Sequence, residues 1–77
     1  MNKSYTIIQC SNYFEYMNFK DRFNDMYFNY SDTTYTVKLF DRYNIQFLLY
    51  LKQHAPTATI TQVSFRNGRA IYIKLKD

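Results

Sequence analysis

The sequence predicts an α+β domain in which two helices lie on one face of a four-stranded sheet, in the order β-α-β-α-β-β. Residues 4 to 10, SYTIIQC, and 33 to 39, TTYTVKL, are rich in the β-branched and aromatic residues typical of strands. After each of these segments, apolar residues recur at helical spacing. The Asn67-Gly68 pair is the strongest short-range signal for a β-hairpin. Together these signals favour a two-layer sandwich with a C-terminal hairpin.

The composition limits which classes of protein the chain can belong to. Its 77 residues indicate one compact domain over residues 1–77. Nine tyrosines and seven phenylalanines are more aromatic side chains than so small an interior hides, so some should lie on the surface, often at an interface. The longest apolar run, from Phe47 to Leu51, is too short to span a membrane. With Cys10 as the single cysteine, we expect a cytoplasmic protein without a disulfide, metal or cofactor.

The first helix is expected to follow the first strand and to run to about Asn29. Asn12 and Glu15 approximate a capping box at its start. A stripe of apolar residues at three- and four-residue steps would form its buried face: Tyr16, Phe19, Phe23, Met26 and Tyr30.

The second helix is expected after the strand at residues 33 to 39. That strand alternates apolar with polar residues such as Lys38, which predicts that one face of the sheet is exposed to water. Asp41 is a candidate N-cap, and the helix should end at about His54, before Pro56. Its section from residue 45 to 51 is apolar almost all round, so this helix should lie centrally or be covered by another chain.

The C-terminal hairpin is expected from strands at residues 58 to 66 and 69 to 76. A two-residue type I′ turn pairs Arg66 with Arg69 and Val63 with Tyr72. One face would then hold Thr61, Val63, Phe65, Ala70, Tyr72 and Lys74. The other, which we expect to be the core side, would hold Ile60, Gln62, Ser64, Ile71, Ile73 and Leu75. A three- or five-residue loop with a bulge would exchange the two faces.

No set of residues predicts catalysis. His54 could act as a general base, but at a helix C-terminus it also stabilises the helix dipole. Asp21 and Asp25 lie one helical turn apart without companion ligands for a metal. A glycine-rich phosphate loop is not possible with Gly68 as the single glycine. We therefore expect that the protein is not an enzyme.

Positive charge is concentrated in the C-terminal third of the chain. Residues 1 to 51 contain five basic and five acidic side chains, so the whole formal charge of +4 lies in residues 52 to 77. The candidate partner-binding residues are Lys38, Tyr50, Phe65, Arg66, Arg69, Tyr72, Lys74 and Lys76. Such a mixture of aromatic and basic residues can stack bases and neutralise phosphates, or form a protein interface. Lysines also protect an edge strand against aggregation, which needs no partner.

No family motif is recognisable. In size, in its Asn-, Tyr-, Phe- and Lys-rich composition and in its lack of catalytic residues, the chain is similar to small single-domain accessory proteins of bacteriophages and mobile elements. These include inhibitors of host defence such as anti-CRISPR proteins, and the resemblance implies a binder that blocks a larger machine. We expect a non-enzymatic protein that acts through a protein partner, with homodimer formation as one form of this. The alternative is nonspecific binding of RNA or single-stranded DNA through the hairpin.

Overall fold

The computed structural model describes residues 4–26, 28–41 and 44–75. This part of the chain forms five strands and two helices in the order β-α-β-β-α-β-β. The strands are β1 (Tyr5–Gln9), β2 (Asn29–Ser31), β3 (Thr36–Leu39), β4 (Thr59–Arg66) and β5 (Arg69–Lys74), and the helices are α1 (Tyr13–Arg22) and α2 (Ile45–His54). All strands pair antiparallel in one sheet with the order β2-β3-β1-β4-β5. The α+β class is confirmed, but the sheet has one strand more than the sequence predicted.

The additional strand arises because α1 is shorter than predicted. The helix ends at Arg22, and the backbone N–H of Phe23 donates to Phe19 at the C-cap. Tyr30 lies on β2, opposite Val37 of β3, and its hydroxyl donates to the Phe23 carbonyl at 2.9 Å. The prediction of a helix to about Asn29 was wrong because Tyr30, which fitted the helical spacing, contacts the core from a strand. A turn joins β2 to β3. The strand predicted at residues 33 to 39, which is β3, therefore begins only at Thr36.

Asparagine side chains cap both helices. The Asn12 side chain accepts from the Glu15 N–H at 2.9 Å, as predicted. The Asn44 side chain accepts from the Phe47 N–H at 2.9 Å, so Asp41 is not the N-cap of α2. The predicted end of α2 at His54 is confirmed.

The core lies between both helices and one face of the sheet. Paired strand residues on that face are Ile8, Val37 and Ile60, and all three are buried. They belong to one cluster with helix residues that include Tyr16, Phe19, Leu48 and Leu51. Aromatic rings thus supply much of the apolar burial that so small a domain needs.

The hairpin has the predicted register. Arg66 pairs with Arg69 and Val63 with Tyr72. Asn67 and Gly68 have φ values of 52° and 79°, the left-handed conformation that a type I′ turn requires at both positions.

The predicted core side of the hairpin is only partly buried. Ile60 is buried and Leu75 packs against the core, but Ile71 and Ile73 are exposed. The prediction for these two isoleucines was wrong for different reasons: Ile71 lies opposite Ser64, beyond the part of β4 that pairs with β1, whereas Ile73 lies opposite Gln62, within that part, where the helix layer leaves it 52% exposed. Among the described residues, β1 pairs with β4 only from Thr59 to Val63, and the distal part of the hairpin continues beyond this pairing.

Candidate interaction surface

Strand β5 forms one edge of the sheet, and no described strand pairs with its outer side. The Leu75 N–H donates to the Ile60 carbonyl at 2.8 Å. Leu75 and Ile60 are thus a hydrogen-bonded pair, and such pairs recur at every second residue of an antiparallel ladder. The backbone N–H and C=O groups of Ile73 and Ile71 therefore also bond to β4. The backbone N–H and C=O groups of Ala70, Tyr72 and Lys74 therefore point away from β4, toward the open edge.

The same edge carries exposed apolar side chains. Ile71 is 41% exposed, Tyr72 66% and Ile73 52%. Ile45 at the start of α2 is 54% exposed. An open groove of about 220 Å³ lies beside these residues, and its lining consists of Ile45, Leu48, Ile60, Gln62, Ile73, Lys74 and Leu75. We call β5, from Arg69 to Lys74, and this groove the β5 surface.

The outer face of the sheet carries a second cluster, formed by Tyr5, Lys38, Phe40 and Phe65. The Lys38 ammonium lies 4.4 Å from the centre of the Tyr5 ring and 5.3 Å from that of Phe40. The Tyr5 and Phe65 ring centres are 6.1 Å apart. Val63 is completely buried although it lies outside the core cluster. The outer face is thus partly covered by its own side chains, with the Lys38 ammonium near two aromatic rings, although Phe40 remains 61% exposed.

The structure brings most of the predicted contact residues to the hairpin and the neighbouring strands. Arg66 and Arg69 are paired next to the turn and are exposed, as are Tyr72 and Lys74 on β5. Phe65 is half-buried against Tyr5, and Lys38 belongs to the outer-face cluster described above. Lys76 lies outside the described residues.

Tyr50 is placed apart from this group. Its ring packs against His54 at 5.0 Å and against Phe23 at 6.0 Å, measured between ring centres. Phe23 lies at the end of α1, so Tyr50 contacts the other helix. Tyr50 therefore joins α2 to the end of α1, while its side chain remains 41% exposed.

Sequence reasoning missed the apolar residues of the β5 surface. It assigned Ile71 and Ile73 to the core, and it included Ile45 in the apolar section of the second helix without placing it beside the hairpin. One signal was present for Ile71: the predicted strand at residues 58 to 66 is longer than the predicted first strand at residues 4 to 10. A longer strand next to a shorter one leaves part of its length without the same neighbours.

The Cys10 thiol and the Glu15 carboxylate, near the start of α1, have pKa values that differ from their ordinary ones. Burial raises the pKa of the Cys10 thiol to about 11, helped by the nearby Glu15 charge, so the thiol is protonated at neutral pH. Partial burial would raise the pKa of Glu15, but hydrogen bonds from Thr57 and Ser11 outweigh it and lower the pKa below its ordinary value. Among residues 4–26, 28–41 and 44–75, no three His, Cys, Asp or Glu side chains are grouped as metal ligands would be.

Comparison with known proteins found no matching family model, no matching curated protein and no matching solved structure. In the described part of the chain, neither helix has the length and apolar character needed to cross a membrane.

Proposed function

We propose that the chain is a non-enzymatic binding protein that acts in the cytoplasm through a protein partner. By its resemblance to small phage and mobile-element proteins, we assign it to inhibitors of a host defence or nucleic-acid-processing machine, of the anti-CRISPR kind. The observation that carries the proposal is the exposed Ile71-Tyr72-Ile73 segment on an open sheet edge. An exposed apolar strip with unpaired backbone groups is costly for an isolated protein, because it invites association.

The energetic advantage of covering this segment is sizeable for so small a domain. Complete burial of an isoleucine side chain contributes roughly 1.5 to 3 kcal/mol. Ile71 and Ile73 are about half exposed, so a partner could gain roughly 1 kcal/mol from each of them. Tyr72 adds a large ring with a polar end, the type of residue enriched at protein interfaces.

Direct binding of RNA or single-stranded DNA is the second candidate. Tyr72 and Lys74 lie two positions apart on the same face of β5, and Arg66 and Arg69 are exposed near the turn. An exposed ring beside positive charge can stack a base and neutralise its phosphate. This candidate uses Tyr72 and Lys74 on the outer side of β5 together with the two arginines near the turn, whereas the protein-partner proposal uses the backbone edge and the isoleucines.

A capture experiment from cell lysate, with and without nuclease, separates the two candidates. The bait is the full chain, and two variants are run beside it. In the first, Ile71→Asp and Ile73→Asp are combined. In the second, Arg66→Gln, Arg69→Gln and Lys74→Gln are combined, which leaves the isoleucines in place. Circular dichroism confirms that each variant is folded.

We expect a specific protein to persist after nuclease treatment and to be lost with the double Asp variant. Retention that requires nucleic acid would contradict the proposal. A steep fall of that retention with salt, reduced in the Gln variant, would then identify direct nucleic-acid binding, because counterion release dominates it. The solution mass of the free protein tests the homodimer form, since a strict monomer at high concentration excludes it.

A further inference from the structure

We infer that the β5 surface binds an extended, acidic segment of the partner protein, which adds to the sheet as a sixth, antiparallel strand. This inference rests on the proposed protein-partner function and specifies the chemistry of the partner. Addition of a strand to an open sheet edge uses main-chain hydrogen bonds for affinity and alternate side chains for specificity. Both components can be read from β5.

The backbone component comes from the three residues that face the open edge. Ala70, Tyr72 and Lys74 each direct an N–H and a C=O group away from β4. A partner strand opposite them could form the same ladder that β4 forms on the other side. Antiparallel addition continues the pattern of the whole sheet, in which every described pairing is antiparallel.

The side-chain component comes from the alternation along β5. Arg69, Ile71 and Ile73 lie on the helix side of the sheet, and Ala70, Tyr72 and Lys74 lie on the outer side. Residues opposite each other on paired strands share a face and contact each other. We therefore expect apolar partner residues opposite the two isoleucines, and carboxylates opposite Arg69 and Lys74 at the two ends of β5.

In sequence terms the partner strand should read acidic, apolar, any, apolar, any, acidic. Its first residue lies opposite Lys74, its second and fourth opposite Ile73 and Ile71, and its last opposite Arg69. The groove beside Ile73 and Ile45 gives room for a bulky apolar side chain on the helix side.

Charge favours such a partner over a second copy of this chain. Residues 52 to 76 contain no acidic side chain, and the exposed Arg66, Arg69 and Lys74 lie on or beside the edge. Pairing β5 with another β5 would bring two positively charged edges together. An acidic strand would instead form opposite-charge pairs across the interface and accelerate encounter.

Nuclear magnetic resonance of the wild-type chain tests the inference without any substitution. The probe is the peptide Ser-Glu-Glu-Val-Thr-Val-Thr-Glu-Glu-Ser, added to roughly millimolar concentration, where weak strand addition is detectable. The control peptide Ser-Glu-Val-Glu-Thr-Glu-Thr-Val-Glu-Ser has the same composition but not the same alternation. We expect slower amide exchange at Ala70, Tyr72 and Lys74 and methyl shifts at Ile71 and Ile73 with the probe peptide only.

Three results would overturn the inference. These are no change at those amides, equal changes with both peptides, or changes centred on another surface. Protection of the same three amides in the free protein, together with a dimeric solution mass, would show that a second copy occupies the edge instead.

Two variants of one residue isolate the backbone contribution. Tyr72→Pro removes an N–H that does not bond to β4, so the hairpin can retain its ladder while the open edge is blocked. Tyr72→Ala removes the ring but keeps the N–H. We expect the probe peptide to bind at least about tenfold more weakly to the proline variant than to the alanine variant. Equal affinities would show that the peptide does not add as a strand.

The capture experiment separates failure of this inference from failure of the proposed function. If a nuclease-resistant partner binds equally to Tyr72→Pro and Tyr72→Ala but is lost with the double Asp variant, the protein-partner function stands and strand addition fails. If no partner survives nuclease treatment, the proposed function itself fails.

Discussion

Glu15 of α1 accepts hydrogen bonds from both the backbone N–H and the hydroxyl of Thr57, at 3.0 and 2.5 Å, although the two residues lie 42 positions apart. The other carboxylate oxygen accepts from the Ser11 N–H at 3.0 Å. One side chain thus connects the start of α1 to the segment between α2 and β4. All these donors favour the charged carboxylate, which is why they lower the pKa of Glu15 despite its partial burial.

Replacing Glu15 should destabilise the fold in a pH-dependent way. We expect Glu15→Ala to lower the free energy of unfolding by about 1 to 2 kcal/mol at neutral pH, and Glu15→Gln by about 1 kcal/mol, because the amide keeps one acceptor. The pKa of Glu15 is lower in the folded than in the unfolded chain, so its contribution is fully present above the ordinary value of 4.5 and is lost as the pH falls through the folded value.

Urea denaturation between neutral and acidic pH measures this effect. Asp21→Asn, at an exposed position of the same helix, is the matched control and should remain within about 0.5 kcal/mol of wild type. The assignment of Glu15 as a structural connection fails if Glu15→Gln and Asp21→Asn have the same pH profile.

Ile60 and Ile73 should respond very differently to the same truncation. Ile60 is 1% exposed and belongs to the core cluster, so Ile60→Ala should cost about 2 to 5 kcal/mol. Ile73 is half exposed, and we expect Ile73→Ala to cost less than about 1 kcal/mol. Thermal or urea unfolding measures both values. If Ile73→Ala lowered the free energy of unfolding as much as Ile60→Ala, Ile73 would be a core residue, and the main support for the β5 surface would be lost.

The contrast between these residues also shows which parts of the fold the sequence could predict. The Asn67-Gly68 turn and the cap at Asn12 depend on local backbone chemistry, and the structure confirms both. The Glu15 carboxylate accepts from the Ser11 N–H rather than completing a capping box with Asn12. Tyr30 could not be placed, because its spacing from Phe23 fits a helix while its contact with the core comes from β2. Local periodicity does not specify where a helix ends when aromatic residues continue beyond it.

The exposure of Ile73 depends on how far the helix layer extends, which is a tertiary property. Alternation along β5 correctly predicts that Ile71 and Ile73 share the face of Ile60. It does not predict whether anything covers that face at each position. The sequence therefore placed Ile71 and Ile73 on the correct face of the hairpin, but it assigned both to the interior.

Cys10 should be almost unreactive in the folded protein. Its side chain is 3% exposed, and burial raises its pKa to about 11, so both access and thiolate formation are restricted. We expect a thiol reagent at neutral pH to label the chain only as fast as it unfolds, and to label it rapidly in urea. Cys10 is the single cysteine, so one optical signal reports the reaction. Rapid labelling without denaturant would contradict the buried position.

The same pKa predicts the effect of alkaline pH on stability. The folded chain holds the Cys10 proton more tightly than the unfolded chain, whose thiol titrates near 9.0. Stability should therefore decrease as the pH rises from about 9 toward 11, since ionisation is then favoured only after unfolding. Cys10→Ala should lack this component, and the difference between the two denaturation profiles isolates it from tyrosine and lysine titration.

Gly68 should be required for the stability of the hairpin because of its backbone conformation alone. Its φ of 79° lies in the left-handed region, and a Cβ atom at this position would meet no atom within 4 Å. Gly68→Ala should therefore cost about 1 kcal/mol through backbone strain without a steric clash. Asn67→Gly is the matched control: Asn67 has a φ of 52°, and glycine adopts this conformation easily.

Hydrogen exchange should accelerate at Ile71 and Ile73 in the alanine variant while Ile8 in the central strand remains protected. Equal exchange rates in both variants would show that the turn does not determine the pairing of β4 with β5.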